Sequence, residues 1–277
     1  RTTAGTLTLS APIWNNQGPN GLFDVAGGTF NLTGASGTNT GKLTVSSGTL
    51  NLGGNISTPT LGSFTRTGGT VNLTGSLNNA LQTLDISSNG VFGTGGLNAV
   101  NSGRIVGGTV LTTDAAKTLA GSLIELDGVT IGSNLTLAGT VEAFNGLTLG
   151  NGFTLAMVNN DLRFRVVAGV PDAILASAGN STITSTGGRL VAAYGGADTL
   201  QIASGITMSG HGGITQSSVA TVINSGTLIG NTIGQTFTID PGTFTNTTTG
   251  TVRTTAGTLT LSAPIWNNQG PNGLFDV

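Results

Sequence analysis

The sequence predicts an all-β fold: a parallel β-helix, or β-solenoid, with about 20 residues per coil. Three observations carry that expectation. A short motif recurs, as GTLTL at Gly5, GTFNL at Gly28, GTLNL at Gly48 and GTVNL at Gly69. Its copies follow one another at a nearly constant interval, as the rungs of a solenoid do. Apolar and polar residues alternate within each copy. The chain is also rich in turn formers and nearly free of charge, with 47 glycines in 277 residues and only 7% charged side chains.

Each motif reads as a strand. In GTFNLT, Phe30 and Leu32 point one way, and Thr29, Asn31 and Thr33 point the other. Period two with one apolar face is a half-buried strand. β-branched Thr and Val favour extended backbone. Gly, Asn and Ser bound these runs and supply turns. Weaker echoes follow at Asn89 (NGVFG), Gly107 (GGTVL), Asp127 (DGVTI), Ser225 (SGTLI) and Pro241 (PGTFT), before GTLTL returns at Gly257. Two stretches hint at a helical turn, LNNALQTLDI from Leu77 and AAKTLAGSL from Ala115. Both are short, and Gly121 interrupts the second.

Strands repeated at this period stack coil on coil at about 4.8 Å. The inward stack is then Phe30, Leu50 and Val71, followed by Leu32, Leu52 and Leu73. The outward ladders are Thr29, Thr49 and Thr70, then Asn31, Asn51 and Asn72. Stacked amides hydrogen-bond along such a ladder. A charged side chain at a repeated outward site would face its own copy about 4.8 Å away and repel it. That accounts for the scarcity of charge. Coils cap one another, so open edges belong only to the ends of a stack.

A longer repeat encloses the short one. Residues 253–277 match residues 1–25 at every position, a period of 252 residues. The expected organisation is one tandem unit, 1–252, followed by the start of the next identical unit, 253–277. A one-off terminal duplication is the alternative. One unit holds about 12 to 14 coils and would rise roughly 60–65 Å.

Composition narrows the function classes. A net charge of −2 offers no basic patch for nucleic acid. The chain lacks cysteine, so it has no disulfides, thiolate metal sites or cysteine nucleophiles. A cysteine-free chain suits an extracellular bacterial protein exported unfolded. No apolar run of about 18 residues reads as a membrane span, and a secretion signal is expected outside these residues.

The motifs SGTLNLGG (47–54), INSGTLIGN (223–231) and FTNTTTGTVRTTAGTLTLS (244–262) resemble the passenger repeats of bacterial autotransporters. They are also similar to filamentous-haemagglutinin-like giant surface proteins. The resemblance covers about two thirds of the chain and fades between Asn159 and Tyr194. It implies a right-handed parallel β-helix, export to the cell surface and an adhesive or scaffolding role. It transfers no catalytic residue.

Several side chains merit weighing as sites. Glu125 and Asp127 share one side of a strand, and Glu142 follows about one coil later. Paired carboxylates serve acid–base cleavage of polysaccharides; the alternative is a solvated acidic patch. DLRFRV sets Asp161, Arg163 and Arg165 against Leu162, Phe164 and Val166, either as a charged surface strand or as a glycan or phosphate contact. GGADTL from Gly195 is a single degenerate copy of a calcium-binding nonapeptide, and calcium needs several oxygens. His211, the only histidine, is expected to lie exposed in a Gly-rich turn. Trp14 in APIWNNQGPNGLF either plugs a wide corner of the core or presents a partner contact. Thr-x-Thr pairs at 6–8, 182–184 and 236–238 fit ordinary strand propensity, or ice binding if they recurred in every coil.

The expected function is therefore structural. The chain reads as a stiff rod or spacer in an extracellular fibre or bacterial surface adhesin, weakly adhesive along its length through repetition. No catalytic, cofactor or metal residue is assigned. The expected partners are adjacent identical repeats, lateral copies or surface glycans, with no nucleic acid. A β-helix enzyme acting on polysaccharide is the main alternative, and an ice-binding solenoid a minor one. A carbohydrate-binding module would need aligned exposed aromatics, and aromatics are 5% of the chain.

Overall fold

A computed structural model of the chain describes residues 1–115, 117–165, 172–196, 198–269 and 274–276. It is an all-β, parallel β-solenoid of about 12 turns, with coils spaced at about 22 residues. The chain forms two compact units, Arg1–Glu125 and Leu126–Val277. Among the described residues the helical element is a single 3-10 turn, Thr58–Thr60. The stretch from Leu77 holds the short strands Ser76–Asn78 and Thr83–Asp85 around a turn, and the stretch from Ala115 runs into the strand Thr118–Ile131.

In the first unit the recurring motifs lie side by side. Thr6–Leu9 pairs with 29–32, which pairs with 49–52, then with Thr70–Leu73, always in parallel. Phe30, Leu50 and Val71 form one buried column, and Leu32, Leu52 and Leu73 form another. The glycine that opens each motif has a reason to be glycine. Gly28, Gly48 and Gly69 all have positive φ, at 62°, 74° and 67°. A Cβ on Gly48 would lie 2.3 Å from the Gly28 carbonyl oxygen, and one on Gly69 would lie 2.6 Å from that of Gly48. Corner after corner, the backbones approach too closely for a side chain.

A second face of this unit stacks 22–25, 42–45 and Ser63–Arg66. Its inward columns are Phe23, Leu43 and Phe64, and Val25, Val45 and Arg66.

The second unit shows three parallel ladders. One runs through 135–137, 155–157, 182–186, 207–210, 227–230 and 251–254. Another joins 141–143, 161–164, 189–192 and 213–216. The third runs through 147–149, 175–177, Asp198–Ile202, Ala220–Asn224, Thr243–Asn246 and Ile265–Asn268. Leu155, Met157, Ile183, Leu200, Val222 and Phe244 are buried inside.

Coil length varies because the corners vary. Thr207 pairs in register with Thr227, a short coil, whereas Leu155 pairs in register with Ile183, a distinctly longer one. Long corners also carry exposed tips, such as Ile233 at 87% exposure. The mean coil is therefore longer than the most regular motifs suggest.

Candidate functional site

The outer surface of the first unit is an amide and hydroxyl ladder. Asn31, Asn51 and Asn72 lie in register, as do Thr29, Thr49 and Thr70. Asn72 donates through Nδ2 to Asn51 Oδ1 at 3.0 Å, Asn51 donates to Asn31 Oδ1 at 2.7 Å, and Asn31 donates to Thr8 Oγ1 at 3.2 Å. Thr70 Oγ1 donates to Thr49 Oγ1 at 2.9 Å. Each amide points its donor toward the preceding coil, so the bonds run in one sense. Beyond Asn72 the register position belongs to Ala99, and the amide series ends.

The charged groups gather through register rather than sequence proximity. Glu142 lies opposite Arg163 in the next coil, Asp161 lies opposite Arg189, and Arg165 opposite Tyr194. Glu142 is only 5% exposed, with its carboxylate oxygens 3.4 Å from Arg165 Nε and 3.9 Å from an Arg163 guanidinium nitrogen. Arg163 donates to the Tyr194 hydroxyl at 3.1 Å and stacks over its ring at 4.6 Å. Arg165 lies 5.2 Å from the same ring and 5.7 Å from that of Phe144. Asp161 takes two bonds from Arg189, at 2.9 and 3.1 Å. On the opposite face, Leu162 and Phe164 are buried; Val166 lies outside the described residues. Two carboxylates thus neutralise most of three guanidinium groups, and Glu142 is withdrawn from water. The site can bind anions weakly or brace three coils against one another.

The other acids have their own partners. Glu125 accepts from Arg104 Nε at 2.7 Å, and Asp127 accepts from Asn145 Nδ2 at 2.6 Å. In GGADTL, Asp198 accepts from the Thr199 amide at 2.7 Å, and Ala197 lies outside the described residues. No group of three His, Cys, Asp or Glu gathers among the described residues. His211 is not in a turn: it is half-buried within the strand Ile206–Gln216, beside Thr186. Of the Thr-x-Thr pairs, Thr236 and Thr238 stand in register with Thr258 and Thr260, and Thr182 and Thr184 with Thr207 and Ser209.

Trp14 lies over the core. It is 6% exposed, packs edge-to-face on Phe23 at 5.6 Å, and Phe23 continues the contact to Phe30 at 5.3 Å. Its register partner is Gly37, whose missing side chain leaves room for the indole. Two residues on, Asn16 donates to Asn39 Oδ1 at 2.6 Å, and both are buried. The second unit repeats this device: Asn224 donates to Asn246 at 2.9 Å, and Asn246 to Asn268 at 3.0 Å.

Reading the motifs alone misses this buried amide series and Arg66. The asparagines leave a signal, recurring 22 residues apart at the ends of short strands. Arg66 leaves a fainter one, as a lone cation at the coil period from Val25 and Val45. It is 6% exposed and donates to the carbonyl oxygens of Gly68, Gly69 and Gly96 and to Asn98 Oδ1. Burial pushes its pKa below the usual arginine value.

No family model, curated protein or solved structure matches this chain.

Proposed function

We propose that the chain is a structural repeat of an extracellular fibre or bacterial cell-surface adhesin, of the autotransporter-passenger or filamentous-haemagglutinin type. Its work is mechanical. Within each unit an apolar stack and parallel strand pairing resist bending, and outward amides and hydroxyls satisfy one another between coils. Adjacent identical repeats are its main partners, and weak contacts to glycans or lateral copies gain strength by repetition. The observation that carries the reading is the placement of the 25-residue duplicate. Residues 258–261 and 265–268 of its second copy are stacked in register on the coil before them, as 6–9 and 13–16 of the first copy are on the coil after them.

Electron microscopy of the native material tests the proposal. A fibre with an axial repeat of roughly 60 Å supports it; compact particles overturn it. A polysaccharide-acting enzyme is the second reading, favoured by the gathering of Glu142, Arg163, Arg165 and Tyr194. Turnover of an acidic polysaccharide, abolished in Glu142→Gln with the fold intact, would select that reading instead.

A further inference from the structure

Asn160 is 8% exposed, and its amide is only half used. Nδ2 donates to the Gly139 carbonyl at 3.3 Å, while Oδ1 is buried and accepts no hydrogen bond. A buried acceptor without a donor is uncommon, because nothing replaces its lost hydration. Asn160 also lines a groove of about 310 Å³ on the second unit, together with Gly139, Thr140, Val158, Asp161 and Arg189. A leftover acceptor in the wall of an open groove is a group for a ligand donor to fill.

The rest of the groove adds charge and an apolar surface. Arg189 is half-exposed and spends Nε and Nη2 on Asp161, at 2.9 and 3.1 Å, which leaves Nη1 without a partner. Around it, Arg163, Arg165 and Arg189 share only Glu142 and Asp161, so the region keeps one net positive charge. Val158, 51% exposed, stands at a bulge where it pairs with both Thr186 and Gly187. Its isopropyl group is apolar surface beside the polar groups. The grooves beside Asn55 and beside Asn145 carry no charged side chain.

We propose that this groove binds one acidic sugar residue of a glycan, of the uronic acid class. Arg189 Nη1 donates to the sugar carboxylate, a ring hydroxyl donates to Asn160 Oδ1, and the C–H edge of the ring rests on Val158. The volume is at the small end for ligand sites and suits a single residue rather than a long chain. A simple anion would engage Arg189 and leave Asn160 unmet; a neutral sugar would do the reverse. An acidic sugar meets both. This is binding without turnover, since Glu142 is held by Arg163 and Arg165 and does not line the groove. The site deepens the glycan contact of the fibre reading above and rests on that reading for its occupant.

Titration of the full chain, followed by amide chemical shifts, tests the site with four probes: methyl glucuronide, methyl glucoside, acetate and inorganic phosphate. The glucuronide should bind about tenfold or more tighter than the other three, the usual worth of one charge-assisted hydrogen bond. Its shifts should centre on 138–140, 158–161 and 189. Arg189→Ala, a change at a half-exposed side chain, should erase the preference for glucuronide over glucoside, and Arg189→Lys should restore part of it. Asn160→Leu, of similar volume, should weaken the glucuronide several-fold without affecting acetate. Equal binding of glucuronide and glucoside overturns the proposal, as do phosphate binding as tightly as the glucuronide, shifts centred elsewhere, or no binding at all. Should Asn160→Leu fail to fold, the Arg189 pair and the probe ranking decide alone. Native fibres that keep their axial repeat while the chain ignores the glucuronide remove the site and leave the fibre reading standing. A glucuronide bound in this groove by a chain whose native particles are compact keeps the site and removes the fibre.

Discussion

Arg66 lies one coil beyond Val45 and in register with it, so a guanidinium occupies an inward column that Val25 and Val45 fill with isopropyl groups. The four acceptors around it come from the turn that follows it and from 96–98, across about 30 residues. Arg66 thus ties the corner at 67–69 to a distant loop from inside the coil.

Replacing Arg66 with Ala should be among the costliest single changes in the first unit. It leaves the buried Gly96 carbonyl without that donor and opens a void, and an unsatisfied buried group costs about 1–3 kcal/mol. Urea unfolding should shift by at least that amount. Hydrogen exchange should show the 86–98 segment opening before the 29–32 and 49–52 strands.

Asn51 sits in the middle of the amide ladder, donating to Asn31 and accepting from Asn72. Asn51→Ala should cost about 1–2 kcal/mol, two net hydrogen bonds. Asn51→Asp should cost more, because its carboxylate replaces a donor and faces the Asn31 oxygen. Equilibrium denaturation at neutral pH and again at low pH separates the two effects. Protonating the new aspartate should recover part of the loss.

Leu81 has a positive φ of 61° and is 99% exposed, so it bears backbone strain with no compensating burial. Leu81→Gly should stabilise the chain by about 1 kcal/mol, the usual cost of the left-handed region for a side chain. A higher urea midpoint at unchanged slope checks this.

Lys117 donates to the Gly95 carbonyl at 2.8 Å. Burial chiefly lowers its pKa below 10.5, Asp114 opposes the shift, and the Arg66 charge adds to it. The sign follows from linkage. Below the lowered folded value the ammonium is charged in both states and the folded state bears the penalty. As pH rises through that value toward 10.5 the penalty is relieved, so this group's contribution to stability increases across the window. A series of urea midpoints from neutral pH into that window should show the native chain gaining on Lys117→Gln.

The rungs were legible in the chain itself. GTFNL, GTLNL and GTVNL pair through 29–32, 49–52 and 70–73 because alternation assigns faces and a glycine marks each corner. The charged cluster was not legible. Glu142 reads most naturally with Glu125 and Asp127, its neighbours in sequence, yet it lies against Arg163 and Arg165. His211 sits among glycines, which suggest a turn, but those glycines lie within a strand.

The amino-acid order alone determined the strands of the regular Gly-Thr motifs, the faces of their apolar and polar residues and their parallel stacking, because a side-chain period of two and a repeated corner are local properties. The folded chain alone decided which residues meet across coils, as with Glu142 and Arg163, and that Arg66 turns inward beside valines. The reason is physical. Those partners depend on the number of residues spent in each corner, which ranges from coil to coil, and one added corner residue shifts the whole register of neighbours without altering the local pattern.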